Sequence, residues 1–238
     1  MVLTREASQI IHSIDPHAIV VSPAATAQFG LPWFSEFLKK GGGQYVDVIG
    51  YHLYVDPPSK MPEDLVPLIK QVRQVMADNS LGNTPLWNTE SGWLKPARID
   101  SDEVAAGFLA RAYVIGWAAG VQRFYWYAWD NGAMAIVTYK EAEHKLTPAG
   151  QAYGVTEQWL VGARMDGCTD SADHTWVCQL NRRGKKEWIV WNSQGNQEFD
   201  VPGDWHVSQV APLLHDQHAM DSSRIYIGLA PTLLTGRP

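Results

Sequence analysis

Glu90 ends a short apolar run, Pro85-Leu86-Trp87-Asn88-Thr89, where an isolated ionised carboxylate is costly unless it is hydrogen-bonded or faces a cleft. Three other segments carry polar or ring-bearing side chains where strands are expected to end: Ser22-Pro23-Ala24, His52-Leu53-Tyr54 and Trp126-Tyr127-Ala128-Trp129-Asp130-Asn131. A carboxylate, an imidazole, a phenol and several indoles suit cleavage of a glycosidic bond. There a carboxylate attacks or stabilises an oxocarbenium-like centre, and flat apolar rings hold the sugar. A phosphate site calls instead for glycines leading into a helix N-terminus. The run Gly41-Gly42-Gly43 precedes an apolar strand pattern and reads as a helix-to-strand turn.

The elements that must position these residues follow from hydrophobic spacing. Ala7, Ile10, Ile11 and Ile14 predict a helix over 5–14, stopped by Asp15-Pro16 before an apolar strand over 18–21. Trp33, Phe34, Phe37 and Leu38 predict a second helix, followed by a buried strand over 45–52. Leu65, Leu68, Ile69, Val72 and Met76 predict a third, followed by a strand over 85–90. Val104, Phe108, Leu109, Ala112 and Ile115 predict a long buried helix before an aromatic-rich strand over 121–129, and a last helix covers 148–160. Strands alternating with helices in this way predict an α/β fold with a parallel sheet, whose C-terminal strand ends carry the site. Beyond residue 163, short strands with polar turns, such as Thr175-Trp176-Val177-Cys178 and Glu187-Trp188-Ile189-Val190-Trp191, predict a second, all-β domain.

Composition agrees with this reading. The 238 residues are 45% hydrophobic and 18% charged, and no apolar run approaches the ~20 residues of a membrane span, so no membrane partner is expected. A net charge of -6 argues against nucleic acid, and the basic cluster Arg182, Arg183, Lys185 and Lys186 flanks Gly184 as in a hairpin turn. Eleven tryptophans are several times ordinary usage and favour carbohydrate as the partner. The opening residues lack the basic and apolar regions of a secretory signal. As written the chain is expected in the cytoplasm, and outside the cell if its true start lies further upstream.

Three segments carry a family resemblance. Val46-Asp47-Val48-Ile49-Gly50-Tyr51-His52-Leu53-Tyr54, Leu86-Trp87-Asn88-Thr89-Glu90-Ser91-Gly92-Trp93 and Phe124-Tyr125-Trp126-Tyr127-Ala128-Trp129 resemble strands six, seven and eight of clan-A glycoside hydrolases, of the family 39 and family 5 type. The resemblance implies a partial (half) TIM (β/α)₈ barrel over residues 1–162, followed by a small antiparallel β-sandwich over 163–238. It implies a retaining, double-displacement β-glycosidase with Glu90 as nucleophile. His52 and Tyr54 would line the site and orient Glu90, and Trp93, Trp126, Trp129 and Asp130 would contact substrate, with no cofactor and no metal. A structural role remains open for several of these: a buried hydrogen-bond anchor for Glu90, core packing for His52, Trp126 and Trp129, and a turn for Asp130 and Asn131.

The sequence departs from the family in one respect. Clan-A enzymes carry the acid/base glutamate after an asparagine on strand four, and this sequence contains no Asn-Glu dipeptide. Retaining hydrolysis needs two carboxyl groups ~5 Å apart. Three outcomes are compatible with the sequence: an inactive carbohydrate-binding or structural remnant, a homo-oligomer that completes the exposed half-barrel, or a local acid such as Glu36, Asp56 or Asp130. A β-sandwich that alone binds sugar, with the half-barrel as scaffold, is a further alternative. Cys168 and Cys178 are spaced to bridge a hairpin or to stand free, and His215 and His218 read as surface residues, not as a metal site.

Overall fold

A computed structural model describes residues 1–55, 61–95 and 99–236. Its first part is a parallel sheet of four strands, β1 (Ala25–Thr26), β2 (Ile49–His52), β3 (Leu86–Ser91) and β4 (Val121–Trp126), in that spatial order. Helices α1 (Val2–Ile14), α2 (Leu31–Lys39), α3 (Leu65–Asp78), α4 (Asp102–Ala118) and α5 (Pro148–Leu160) alternate with the strands. Each of the last two begins at a hydroxyl cap: Ser101 accepts from the Val104 amide and Thr147 from the Gly150 amide. Between β4 and α5 runs a small hairpin of β5 (Tyr139–Lys140) and β6 (Lys145–Leu146).

The strand expected over 18–21 contributes only a single bridge, Val21 to Val48, and regular pairing with β2 resumes at Ala25. The cause lies in Ser22-Pro23. Pro23 has no amide proton to donate, and the Ser22 hydroxyl takes over by accepting from the Gly50 amide at 3.0 Å. The run expected over 121–129 likewise leaves the sheet after Trp126, where the Trp129 carbonyl accepts from Thr138 and Tyr139.

α1 ends where expected but begins three residues earlier, at Val2, and its orientation is not the expected one. Thr4 and Ser8 are buried, whereas Leu3, Ile10 and Ile14 face solvent. His12 sets the orientation: its ring contacts the Ser8 hydroxyl and reaches the Ala18 carbonyl at 3.1 Å, so the polar side of the helix meets the chain.

The second part is antiparallel. A six-stranded sheet has the order β12-β11-β14-β9-β8-β7, and β10 pairs with β13 beside it. In chain order these strands are β7 (Arg164–Asp170), β8 (Thr175–Arg182), β9 (Lys185–Asn192), β10 (Gln197–Asp200), β11 (Val207–Pro212), β12 (His218–Ala219), β13 (Arg224–Ile227) and β14 (Thr232–Gly236). Cys168 and Cys178 face each other across β7 and β8 and form a disulfide. The basic cluster is the β8–β9 turn, with Arg183 and Gly184 at positive φ. Arg182 has a second use there, since its guanidinium donates to the Trp159 and Val161 carbonyls at the C-terminus of α5.

The two parts share one core. Strand β9 is buried on both faces: Ile189 and Trp191 join the cluster around α3 and α4, while Trp188 and Val190 pack with Val201, Val210 and Ile227. Gly107 on α4 meets the Leu229 backbone so closely that any side chain there would collide with its carbonyl. At the centre of the contact lies Arg111, with no exposed surface. It donates at 2.9 Å to Glu63 Oε1, which also accepts from the Trp191 indole at 2.8 Å.

A buried charge that loses its partner is strongly destabilising. Glu63→Ala and Arg111→Ala should each cost about 3–5 kcal/mol in urea unfolding, whereas Arg111→Met paired with Glu63→Gln should cost far less than the two single losses added together.

Candidate functional site

β2 and β3 bring three of the expected residues together. Strand register places Tyr51 beside Asn88, so His52 and Tyr54 emerge next to Glu90. The Tyr54 hydroxyl donates to Glu90 Oε1 at 2.7 Å, and His52 Nδ1 lies 3.9 Å from Glu90 Oε2. The Glu90 side chain is 37% exposed, so one end of the carboxylate is held while the group remains open to solvent. Thr26 on β1 completes the row, its hydroxyl 3.4 Å from His52 Nδ1.

The segment that carries Glu90 is fixed from below. Asn88 is fully buried, and its Oδ1 accepts from the Leu53 amide at 3.1 Å. The Ser91 hydroxyl donates to the Leu53 carbonyl at 2.8 Å, and the Ser91 carbonyl accepts from the Tyr127 amide. Gly92 is required at its position because a Cβ would overlap the Tyr127 carbonyl oxygen. Burial first, then donation to Glu90 and the negative charge of that carboxylate, push the Tyr54 hydroxyl far above its ordinary value of 10.0. Tyr54 therefore stays a protonated donor at every physiological pH.

The aromatic residues divide. Trp93 is 2% exposed and lies in the core between Phe108 and Trp126, so its ring presents no open face to a sugar. Sequence placed it at a strand end, but the chain turns inward there. Trp126 is partly buried and stacks on Trp93. Its indole nitrogen is buried without a hydrogen-bond partner among the described residues. Trp129 is 56% exposed and stacks at 4.8 Å on Tyr139. With Phe124, Tyr125 and Tyr153 these two indoles line a cavity of about 490 Å³ beside β4.

Asp130 is exposed, and the turn that follows is made by Asn131, which accepts from Ala133 and donates to the Tyr127 hydroxyl. Among the other candidate acids, Glu36 lies on the outer surface of α2 near Lys39 and Lys40, and Asp56 lies outside the described residues. Thr26, Asn88 and Tyr127 were not singled out from sequence as site residues. Their contribution is a contact between strands, for which spacing along the chain carries no signal.

Residues 5–153 match the family model described as glycosyl hydrolase catalytic core. Among solved structures, the chain is similar to a glucosidase from Croceicoccus marinus, with a TM-score of 0.68 and 13% identity over 99% of this chain and 64% of that one. It is similar to a glycoside hydrolase family 30 subfamily 8 xylanase from Clostridium acetobutylicum, with a TM-score of 0.61 and 17% identity over 96% and 58%. A 4-O-α-L-rhamnosyl-β-D-glucuronidase from Fusarium oxysporum gives a TM-score of 0.62 and 10% identity over 98% and 63%. The chain spans less than two thirds of the length of each, and at these identities the likeness establishes a shared fold. Comparison with curated protein sequences gave no match.

The raised tyrosines have a measurable consequence. Burial holds the Tyr51 hydroxyl at about 12, and Tyr54 lies higher still, so above pH 10.0 the unfolded chain releases phenolic protons that the folded chain keeps. Folding stability should be fully present below that pH and fall as pH rises beyond it. In alkaline urea titrations the fall should be shallower in Tyr51→Phe/Tyr54→Phe than in the wild type.

Proposed function

The chain belongs to the glycosyl hydrolase catalytic core family, and from that premise we propose that it cleaves β-glycosidic bonds by a retaining double displacement with Glu90 as nucleophile. The observation that carries this reading is the pairing of Glu90 with the Tyr54 hydroxyl at 2.7 Å, with His52 beside the other carboxylate oxygen. Those contacts orient a half-exposed carboxylate at the end of a parallel strand, where such folds build their sites.

In this reading the parallel sheet is the second half of a (β/α)₈ barrel, residues 1–162, and the antiparallel sheets form a β-sandwich over 163–238. Glu90 attacks the anomeric carbon as the glycosidic C–O bond breaks. An acid protonates the leaving oxygen, and water then hydrolyses the glycosyl-enzyme ester. Trp126 and Trp129 supply the sugar platform, and Tyr54 and His52 act as positioning residues through Glu90.

A panel of aryl β-glycosides, run with wild type and Glu90→Gln, tests the proposal. Turnover should fall by roughly 10³-fold or more in the variant, and the first-formed product should keep the anomeric configuration of the substrate by NMR. Tyr54→Phe should lower kcat/KM by roughly 10-fold or more by removing one donor to the carboxylate. Well-folded protein that binds sugar without turning it over, with Glu90→Gln binding equally well, would identify a carbohydrate-binding remnant instead.

A further inference from the structure

A cavity of about 280 Å³ lies where the start of α4 meets the antiparallel part of the chain. Neither Glu90 nor any residue of β1 or β4 lines it. Its base is apolar and fixed: Leu213 and Ile227 are buried, and the Leu213 amide donates to the Pro231 carbonyl at 3.1 Å. Tyr226 lines it too, 76% exposed yet tethered. Its strand β13 is paired with β10, and its hydroxyl donates to Glu198 Oε1 at 3.1 Å. Arg224 holds Glu198 in turn, donating to Oε2 at 3.0 Å, and also donates to Asp200. A ring anchored at both ends offers its flat apolar face at little cost in conformational entropy.

Three polar side chains complete the lining: Glu103 from the first turn of α4, Asn196 and His215. None of the three is hydrogen-bonded or ion-paired through its side chain to another described residue. They offer a carboxylate that accepts, an amide that accepts and donates, and an imidazole that does both. The Asn196 amide has room because residue 228 is glycine, where a Cβ would collide with Asn196 Oδ1. A sugar matches this combination, with C–H groups on the faces of its ring and hydroxyls around its rim. The volume is close to the ~300 Å³ at which ligand pockets begin and suits a single sugar unit. Arg224 is taken up by Glu198 and Asp200, whereas Glu103 has no cation paired with it, so the charge favours a neutral sugar over a uronic acid.

We propose that this cavity is a second saccharide-binding site, separate from Glu90, which holds one neutral sugar unit of a polymeric substrate. The ligand class follows from the glycosyl hydrolase family, and the part played in turnover rests on the reading of Glu90 as nucleophile. β3 ends at Ser91 and α4 starts at Asp102, so Glu103 stands at the same end of the sheet as Glu90. A glycan held in the cavity stays on the side where Glu90 emerges, which raises the local concentration of bonds open to attack.

The experiment is an NMR titration of the Glu90→Gln chain with cellohexaose, with xylohexaose and, as the acidic control, with hexagalacturonate. A neutral hexaose should shift the amides of Leu213, Ile227 and Gly228. Tyr226→Ala, at an exposed position, should weaken that binding by roughly 10-fold or more, while Tyr226→Phe, which keeps the ring, should retain it. Gly228→Ala, which displaces the Asn196 amide, should weaken it as well. With Glu90 intact, Tyr226→Ala should leave aryl-glycoside turnover unchanged and raise KM on the polysaccharide that matches the bound hexaose. No response at these amides to either neutral hexaose, equal binding in Tyr226→Ala, a response to hexagalacturonate alone, or an unchanged polysaccharide KM overturns the second site and leaves Glu90 as nucleophile. Binding at these amides by a well-folded wild-type chain that hydrolyses no aryl glycoside keeps the second site and overturns the reading of Glu90.

Discussion

Arg111 carries its charge into a place with no exposed surface, and the rest of the molecule is arranged around that fact. Removing a guanidinium from water costs several kcal/mol, which only close opposite charge and hydrogen bonds offset. Glu63 supplies the charge, and by accepting from Trp191 as well it is held to a strand more than a hundred residues away in sequence. Three elements must therefore dock together: the segment after β2 that bears Glu63, helix α4 that bears Arg111, and strand β9 that bears Trp191. Burial lowers the Arg111 value and the carboxylate raises it, the opposing effects expected of a paired interior charge.

The same constraint reaches the candidate site through packed rings. The Arg111 guanidinium lies 5.0 Å over Phe108, Phe108 meets Trp93 edge-on, and Trp93 stacks on Trp126. Trp93 is three residues beyond Glu90 and Trp126 pairs with Ser91, so the column supports the wall from which the carboxylate projects. Above it, Asn88 and Ser91 bind both backbone groups of Leu53, which fixes β2 against β3 just where His52 and Tyr54 emerge. A 2.7 Å contact between Tyr54 and Glu90 is thus set by buried groups that never touch solvent.

Much of this was legible in the sequence. The heptad-like spacing of Leu65, Leu68, Ile69, Val72 and Met76 yields helix α3 with those residues buried, and the short apolar run Glu187-Trp188-Ile189-Val190-Trp191 yields β9. Glu90 stood out because a carboxylate after Leu86-Trp87 has to be explained. The family membership agrees with the glycoside hydrolase expectation drawn from the same strands.

Spacing along the chain determined which segments become helices or strands and which residue types gather at strand ends, because backbone geometry repeats every two or 3.6 residues. It did not determine which side of an element finds a partner. Ile10 and Ile14 have the spacing of a buried stripe yet face solvent, since His12, contacted by Ser8 on the same helix, turns to the Ala18 carbonyl. Trp93 has the position of a sugar platform yet fills the core, since Phe108 and Trp126 enclose it. Only the tertiary structure decided that Tyr54 reaches Glu90, that Arg111 finds Glu63, and that β9 is buried on two faces. Each is a contact between segments far apart in sequence, whose energy depends on distance in space and leaves no periodic trace in the chain.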